Sequence, residues 1–408
     1  MFFAKFSLAF LLFSAYLFPV EAVITSAKPS TAAYASDAFS GVENPGQAVL
    51  VGNRFDIGFT WIRQHQRSSI HGVPPPNAIL NGKFNASRTN NYYFPTFAIN
   101  RNFCSYFCNR CWEWSLSLMI YNNEFIKSTY NTAVPFFGTS HLGFESLEEV
   151  IATVFSCKLN ECHSVGISID TYVNRKKVNG IEAFAPLSLD PTHLTNKGYS
   201  FAYGLGATYG WRWQITEAFS FGASVRPKVR FKYHKYKGLF PNHGELDVPL
   251  KIRAGISYWF NPKFAVVFDV VWYNWRNTTA RNRNITNTHP LGSKKGSSVA
   301  WKNEIVYVIG AGYKVTDNLT VYARYSYDPT PVRRTETLVN MLPCSTVENN
   351  LLVGLSYMCG CNELALAYQH SFEHKIKGHH SMPAPLGGGN ANISQRLDYV
   401  VFSLGHQY

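Results

Sequence analysis

Apolar and polar residues alternate along many segments of this chain, most clearly in NLTVYARYSYD at residues 318–328. One row contains Leu319, Val321, Ala323, Tyr325 and Tyr327, and the other contains Thr320, Tyr322, Arg324, Ser326 and Asp328. Because successive side chains of a strand point to opposite faces, this spacing predicts a β-strand with one apolar face. The same two-residue period recurs in RFDIGFTWIR, WEWSLSLMIY, HSVGISIDTYV, LKIRAGISYWF and LDYVVFSLGHQY.

Counting such segments predicts fourteen strands. They lie near residues 54–63, 92–99, 112–121, 146–156, 163–174, 199–212, 218–231, 248–260, 263–275, 303–315, 318–328, 348–358, 362–372 and 395–408. The fourth of these, which contains ESLEEVIATVF, is the weakest, since its spacing also fits a helix.

The connections between these strands give a second signal. Short turns are expected at 158–161, 216–217, 261–262, 316–317 and 360–361. They alternate with long polar segments at 64–91, 175–198, 276–302, 329–347 and 373–394. Short turns at one end and long loops at the other are typical of an outer-membrane barrel with its turns in the periplasm. A soluble β-sandwich, the alternative, has no reason to separate its loops this strictly.

The overall composition agrees with a barrel. Past its N-terminal region the chain has no apolar stretch long enough to cross a bilayer as a helix, yet 15% of its residues are aromatic and only 15% are charged. The last strand ends on Tyr408, with Val400, Phe402 and Leu404 on one face, and resembles the C-terminal signal of barrel proteins. We therefore predict an all-β fold, a transmembrane antiparallel β-barrel of about 14 strands in the bacterial outer membrane.

The first 22 residues have the pattern of a secretory signal peptide. Lys5 precedes an apolar run from Phe6 to Phe18, and Val20-Glu21-Ala22 ends in the small residue expected before a cleavage point. A retained membrane helix is the alternative, although the apolar run is short for a span. An exported chain folds in an oxidising compartment, where cysteines form disulfides.

The stretch NFCSYFCNRCWEW places Cys104, Cys108 and Cys111 in a spacing that would also suit an iron–sulfur cluster. In an oxidising compartment a disulfide cluster is the favoured interpretation. The disulfide candidates, all near the end of the barrel with short turns, are Cys104, Cys108, Cys111, Cys157, Cys162, Cys359 and Cys361. Cys157 and Cys162 are close enough in sequence to pair across a hairpin. Because seven is an odd number, at least one thiol is expected to be free or joined to another chain by an intermolecular disulfide.

No group of residues in the sequence predicts catalysis. Neither a GxSxG nor an HExxH motif is present, and His379-His380 has no cysteine or carboxylate at ligand spacing. We therefore expect no enzymatic activity, no metal and no cofactor. The formal net charge of +13 points to anionic surroundings such as lipid headgroups rather than to nucleic acid.

The segment SDAFSGVENPGQAVLVGNRFDIGFTW resembles the entry into the first strand of the FadL/TodX outer-membrane transporters of hydrophobic compounds. The later stretches GELDVPLKIRAGISYWFNPKFAVVFDVVWYNWR, WKNEIVYVIGAGYKVTDNLTVYARYSYDPTPV and NNLLVGLSY agree with it. The resemblance implies a signal peptide at 1–22, an N-terminal hatch at 23–53 inside the lumen and a barrel at 54–408. It implies a hatch motif at Asn44, Pro45 and Gly46, where Gly replaces the usual Ala and is expected to loosen the backbone.

The resemblance also implies a route for a hydrophobic ligand, from the outer loops into the barrel and out sideways through a gap beside a kinked third strand. Pro135 cannot donate a ladder hydrogen bond, so Pro135, Phe136 and Phe137 are candidates to line that path. The implied function is passive outer-membrane transport of long-chain fatty acids or other hydrophobic molecules, with membrane lipid as a further partner. The alternatives are a water-filled porin, for which the net charge suggests a preference for anions, and a cysteine-cross-linked structural protein of the envelope.

Overall fold

The computed structural model describes residues 26–107, 110–278, 283–284 and 286–408. The predicted signal peptide at 1–22 lies outside these residues. The strands are β1 Arg54–His71, β2 Gly82–Asn85, β3 Asn91–Phe107, β4 Arg110–Ala133, β5 His141–Lys158, β6 His163–Asn179, β7 Ser200–Gln214, β8 Phe219–Arg226, β9 Lys251–Asn261, β10 Phe264–Tyr273, β11 Glu304–Lys314, β12 Leu319–Tyr327, β13 Asn349–Cys359, β14 Asn362–Lys377 and β15 Asn390–Gln407.

Helical structure among the described residues is confined to short turns. Two are α-helical, α1 Ser40–Glu43 and α2 Pro241–Gly244. The 3₁₀ segments are Pro45–Leu50, Asn77–Leu80, Glu182–Leu187, Pro191–His193, His234–Tyr236, Trp275–Asn277, Val339–Met341 and Ala384–Leu386. In the part of the chain that the structure describes, no helix is both long and apolar enough to cross a membrane.

Fourteen of the strands form a closed antiparallel barrel. Each long strand pairs with the next long strand along the chain, and β15 pairs with β1 from Arg54–Gln407 to His71–Asn390, which closes the sheet. The short strand β2 adds only to the outer end of β1, at 67–70. This confirms the predicted barrel of about 14 strands, and because the first and last strands pair with each other, neither is left as an open edge of the sheet.

The predicted division of each strand into two faces is also confirmed. On β1, Ile57 and Phe59 are each 43% exposed on the outer surface, whereas Asp56, which precedes them, is buried in the lumen. On β12, Tyr325 is exposed and Tyr322 is buried. The apolar side chains of this barrel thus lie on the outside, as in a protein whose solvent is lipid.

Several strands are longer than the sequence predicts, while β8 is shorter. β1 continues to His71, β6 to Asn179 and β14 to Lys377, so parts of the predicted outer loops are strands. Backbone pairing continues there because a ladder does not require apolar side chains on either face. β8 ends at Arg226 instead of near 231, and the following residues form part of an outer loop.

The N-terminal segment, residues 26–53, lies inside the barrel. Inward-facing side chains from distant strands hold its backbone: the hydroxyl of Ser403 on β15 accepts from the N–H of Ala27 at 2.8 Å. On β6, the hydroxyl of Ser164 donates to the carbonyl of Gly46 at 2.6 Å. Contacts to strands so far apart in the ring require the segment to cross the lumen.

The cysteine positions correct part of the disulfide prediction. Cys157, Cys162, Cys359 and Cys361 are free thiols. Cys157 is buried on β5 whereas Cys162 is exposed in the turn that follows, so the two do not face each other. Cys359 lies opposite Asn362 in the β13–β14 ladder rather than opposite Cys361.

The cluster around NFCSYFCNRC also differs from the prediction, because it does not form an extended turn. β3 continues to Phe107 and β4 begins at Arg110. Cys104 lies on β3 and is disulfide-bonded. Cys108 and the side chain of Cys111 lie outside the described residues, so pairing within this cluster stays a prediction.

Thiol labelling tests this arrangement. We expect Cys162, Cys359 and Cys361, which are exposed, to react with a maleimide in the folded barrel, and we expect the buried Cys157 and Cys344 to react only after unfolding. Peptide mass mapping before and after denaturation measures this difference. Protection of Cys359 and Cys361 that disappears on reduction would contradict the structure and restore the disulfide prediction.

Candidate functional site

The predicted hatch motif is buried and fully bonded. Asn44 is 0% exposed, and its side-chain oxygen accepts from the N–H of Gly46 at 3.0 Å. Its side-chain nitrogen donates to the carbonyl of Ala32 at 2.7 Å and to that of Trp211 on β7 at 2.9 Å. Pro45 opens the 3₁₀ turn that follows. The backbone at Gly46 is thus held on both sides rather than loosened.

Three glycines in the barrel wall allow the N-terminal segment to lie this close. A Cβ atom would be 1.7 Å from the carbonyl oxygen of Ala32 if placed on Gly222, and 2.1 Å from the side-chain oxygen of Asn44 if placed on Gly210. On Gly166 it would meet the backbone of the same turn at 2.5 Å. A side chain at any of these positions would therefore displace the segment or the strand.

Ion pairs fix the middle of the segment to the adjacent strands β9 and β10. The carboxylate of Glu43 lies 2.8 Å from Arg253 and 3.7 Å from Lys251, both on β9. Arg253 also pairs with Asp269 of β10 at 3.0 Å, and Asp269 accepts from the N–H of Ala32 at 2.9 Å. The N-terminal segment is therefore part of a buried charge network that joins two strands.

A gap opens in the ladder between β3 and β4. Their pairing ends at Phe97 and Ile120, although β3 stays paired with β1 as far as Asn91. Contact with β4 resumes farther out, where the N–H of Thr129 donates to the carbonyl of Ala86 at 2.7 Å. Residues 121–128 of β4 thus stay paired with β5 but are not paired with β3 over this height.

A β-bulge on β4 lies at the start of this gap. Asn122 pairs with Glu149 of β5 and Glu124 pairs with Glu148, so Asn123 is an extra residue without an opposite partner. A bulge bends its strand and increases the local twist. The interruption of this strand is therefore at Asn123, twelve positions before the proline that the sequence suggested.

Aromatic side chains fill the gap. The ring of Phe125 lies 5.7 Å from that of Tyr92 and 6.2 Å from that of Phe94, and all three residues are at most 1% exposed. The side chain of Gln64 on β1 also reaches across, donating to the carbonyl of Lys127 at 2.9 Å. The space between β3 and β4 is thus closed by side chains rather than by backbone pairing.

An apolar cavity of about 680 Å³ lies beyond the outer ends of the strands. Its wall comes from the ends of β4, β5 and β6 and from the loops that follow β4, β6, β8, β10, β12 and β14. Apolar side chains dominate it, among them Phe137, Phe184, Phe240, Leu291, Trp301 and Leu342. Its size and its apolar lining are those of a site for a small hydrophobic molecule.

The three residues predicted to line the ligand path differ in their exposure. All three lie in the turn after β4, where Pro135 is exposed, Phe136 is half-buried and Phe137 is buried and lines the cavity. Phe136 and Phe137 pack against Phe184 with ring centroids 5.6 and 5.7 Å apart.

Hydrogen bonds to a loop carboxylate hold this side of the cavity together. Glu182 begins the 3₁₀ turn that carries Phe184, and it accepts from the hydroxyl of Ser140 and the side-chain amide of Asn196. Partial burial alone would raise the pKa of Glu182, but these hydrogen bonds hold it below its usual range. Glu182 therefore stays ionised at neutral pH and keeps the loop tied to its neighbours.

Two charged side chains line the cavity where it meets the strands. Lys176 of β6 is 1% exposed, and its ammonium donates to the hydroxyl of Ser146 and lies 5.2 Å from the ring centroid of Tyr233. Ser146 in turn donates to Glu124 of β4 at 3.4 Å. Apolar walls with an ammonium and a carboxylate at one end can hold an amphipathic molecule as well as a neutral one.

The resemblance implied a gap beside the third strand of the barrel, which is β4, but neither the residues at that gap nor the contact glycines were predicted from the sequence. The run Asn122-Asn123-Glu124 interrupts an otherwise apolar strand pattern, and such a break is a signal of a bulge. Single glycines inside strand patterns, such as Gly166 and Gly222, indicate a close backbone approach. Nothing distinguishes Tyr92 and Phe94 from the lipid-facing aromatic residues around them.

A closed barrel of 14 strands, an N-terminal segment across its lumen and an apolar cavity in its outer loops define a plugged transport barrel of the outer membrane. The chain belongs to the family described as outer membrane protein transport protein (OMPP1/FadL/TodX), whose family model matches residues 26–343. It is therefore a transporter of hydrophobic compounds in the outer membrane and not an enzyme. No curated protein sequence matches the chain significantly.

Solved structures share the fold at low sequence identity. The toluene transporter TodX of Pseudomonas putida is 13% identical, with 96% of this chain and 99% of that chain covered and a TM-score of 0.68. A FadL homologue of Pseudomonas aeruginosa is 15% identical, with 95% and 100% covered and a TM-score of 0.66. The toluene transporter TbuX of Ralstonia pickettii is 13% identical, with 96% and 98% covered and a TM-score of 0.62.

Proposed function

We propose that this protein carries long-chain fatty acids or other hydrophobic molecules through the outer membrane by passive diffusion. The observation that supports this most is the apolar cavity of about 680 Å³ at the outer end of a plugged barrel. A hydrophobic solute gains about 25 cal/mol for each Å² of apolar surface that it removes from water. Such a site therefore concentrates the solute at the cell surface without any input of energy.

The proposed exit from the cavity is the gap between β3 and β4. Glu124 and Ile126 of the bent segment line the cavity, whereas Phe125 between them packs in the gap. The bent segment of β4 thus separates the cavity from the gap. Rotation of Phe125, Tyr92 and Phe94 would join the two spaces. In this proposal residues 23–53 act as the hatch, which blocks water and ions while the substrate leaves sideways.

Lys176 favours a substrate with an anionic head over a purely neutral one. A carboxylate placed beside this ammonium would receive a charge-assisted hydrogen bond while its chain lies against Phe137, Phe184 and Leu342. Two of the structural neighbours are described as toluene transporters. A neutral aromatic hydrocarbon is therefore the second candidate substrate for the cavity, and it would make no use of Lys176.

Equilibrium binding of a fluorescent fatty acid to the purified protein tests the proposal. We expect saturable binding that an unlabelled long-chain fatty acid displaces, with little ion conductance in planar bilayers. No saturable binding together with a steady conductance would favour the water-filled porin. No binding and no conductance would favour the structural envelope protein.

Replacing Lys176 by methionine distinguishes a fatty-acid substrate from a neutral hydrocarbon substrate. Because a hydrogen bond to a charged group contributes about 1.5–3 kcal/mol, fatty-acid affinity should fall about tenfold or more. Binding of the alkane of equal length should stay unchanged. Competition against the fluorescent probe measures both.

The matched control is Lys127→Met. Lys127 is also buried, at 7% exposed, and pairs with Glu145 at 2.9 Å, but it does not line the cavity. The Lys127→Met variant should leave the ratio of fatty-acid affinity to alkane affinity unchanged, whatever its effect on the stability of the fold. An equal loss of acid binding in both variants would rule out a head-group role for Lys176.

A further inference from the structure

The outward face of β1 changes character along its length. Near the periplasmic end it carries Ile57 and Phe59, each 43% exposed. Trp61 follows, and the next outward positions are Arg63, His65 and Arg67. The outward residues are thus first apolar, then aromatic and then basic. This order is expected where a barrel passes from the hydrocarbon core through the interface to the lipid headgroups.

The next two strands in the ring, β15 and β14, also carry basic residues outward of their lipid-facing residues. On β15, the outward residues Phe402 and Val400 are followed by Asp398 and the exposed Arg396. On β14, Leu366 is followed by Tyr368 and His370, and Lys375 and Lys377 are exposed at its outer end.

The strand register brings these basic residues into one surface. His65 lies opposite Arg396, and Arg67 lies opposite Ser394, which is itself opposite Lys375 on β14. Opposite residues in an antiparallel pair are about 5 Å apart, and alternate residues along a strand are about 7 Å apart. We call the surface formed by these residues the outer basic patch: Arg63, His65, Arg67, His370, Lys375, Lys377 and Arg396.

Little negative charge offsets this patch. Asp398 already accepts hydrogen bonds from Tyr368 and His370, each at 2.7 Å, and lies 4.0 Å from Arg396. Glu373 is exposed at the bulge of β14. Among the described residues, Arg63, Arg67, Lys375 and Lys377 have no carboxylate within ion-pairing distance.

The patch does not extend to the neighbouring strands β12 and β13. At the outer ends of β12 and β13 the corresponding outward residues are Tyr325, Tyr327, Leu351 and Asn349. A cluster on three adjacent strands, directly above lipid-facing rows, indicates a localised anionic ligand that lies in the membrane.

We propose that the outer basic patch binds the phosphate groups of a phosphorylated glycolipid in the outer leaflet, with its acyl chains against Phe59, Leu366 and Phe402. Arginine presents a planar fork of donors that matches phosphate, and three arginines lie in this patch. Basic clusters beside a hydrophobic surface recognise anionic lipid headgroups through their summed charge. This site is on the outside of the wall, remote from the lumen and the cavity, and it does not depend on the proposed substrate.

Native mass spectrometry of the full-length protein in detergent, titrated with bis-phosphorylated lipid A, tests this site. The test variant is Arg63→Gln, Arg67→Gln and Arg396→Gln combined. Since each cation near a lipid surface contributes about 1 kcal/mol, occupancy by lipid A should weaken on the order of a hundredfold. Dephosphorylated lipid A should bind wild type and variant equally weakly.

The matched control removes three exposed lysines from the outer loops, by Lys232→Gln, Lys235→Gln and Lys294→Gln. It should bind lipid A as the wild type does, and fatty-acid binding should stay normal in both variants. Heat-dependent gel mobility checks that each barrel is folded. Equal binding of phosphorylated and dephosphorylated lipid A by the wild type, or unchanged binding in the arginine variant, would overturn the proposal.

Discussion

Replacing Gly222 by alanine should open the barrel to ions. The new methyl group would lie 1.7 Å from the carbonyl oxygen of Ala32, a distance at which either the N-terminal segment or β8 must move. The segment is the weaker of the two, because β8 is held by ladders to both β7 and β9. Displacing Ala32 also breaks its bonds to Asp269 and Asn44. We expect a conductance several-fold above that of the wild type in planar bilayers.

Gly312→Ala is the matched control for this experiment. Gly312 also faces the lumen, opposite Tyr322 in the β11–β12 ladder, but a Cβ atom there would meet nothing within 4 Å. The conductance of the Gly312→Ala variant should equal that of the wild type. Gly210→Ala should act in the same direction as Gly222→Ala, since its methyl group would lie 2.1 Å from Asn44. Wild-type conductance from a folded Gly222→Ala barrel would show that the segment does not seal the lumen.

The alternation of Val321 with Tyr322 was sufficient to predict the barrel, because a strand between lipid and lumen must show its two environments in its sequence. The short turns were predictable for a similar local reason, since their chemistry is confined to a few residues. The lengths of β1 and β14 were not predictable, because outside the lipid the ladder continues through polar residues such as Arg67 and Lys375.

The candidate site depends on contacts that no local pattern encodes. Gly222 and Ala32 are separated by 190 positions, and the reason for the glycine is visible only when both are in place. The cavity is assembled from three strands and six loops, and four of those loops fall in the segments that the sequence presents as long polar loops. Phe137 was predicted as a lining residue, but the residues of the gap were not, since Tyr92 and Phe125 match the aromatic residues of any strand.

Deleting Asn123 should stop release of substrate while preserving its binding. The deletion removes only the extra residue, so Asn122 keeps Glu149 as its partner and Glu124 keeps Glu148. A regular β4 loses the bend that takes it away from β3, and backbone pairing can then extend past Phe97 and Ile120. We expect most uptake of fatty acid into protein-containing vesicles to be lost, with equilibrium binding of the fluorescent fatty acid near the wild-type value.

The side chain of Asn123 requires a separate control, since it donates to Glu148 at 2.5 Å and accepts from Arg226 at 3.1 Å. Asn123→Ala removes these bonds but keeps the extra backbone residue, so it should retain the bulge and most of the uptake. If the alanine variant loses uptake as completely as the deletion does, the side-chain network is what matters and not the bend. If the deletion transports normally, the substrate leaves by another route, and the aromatic residues between β3 and β4 serve only to close the wall.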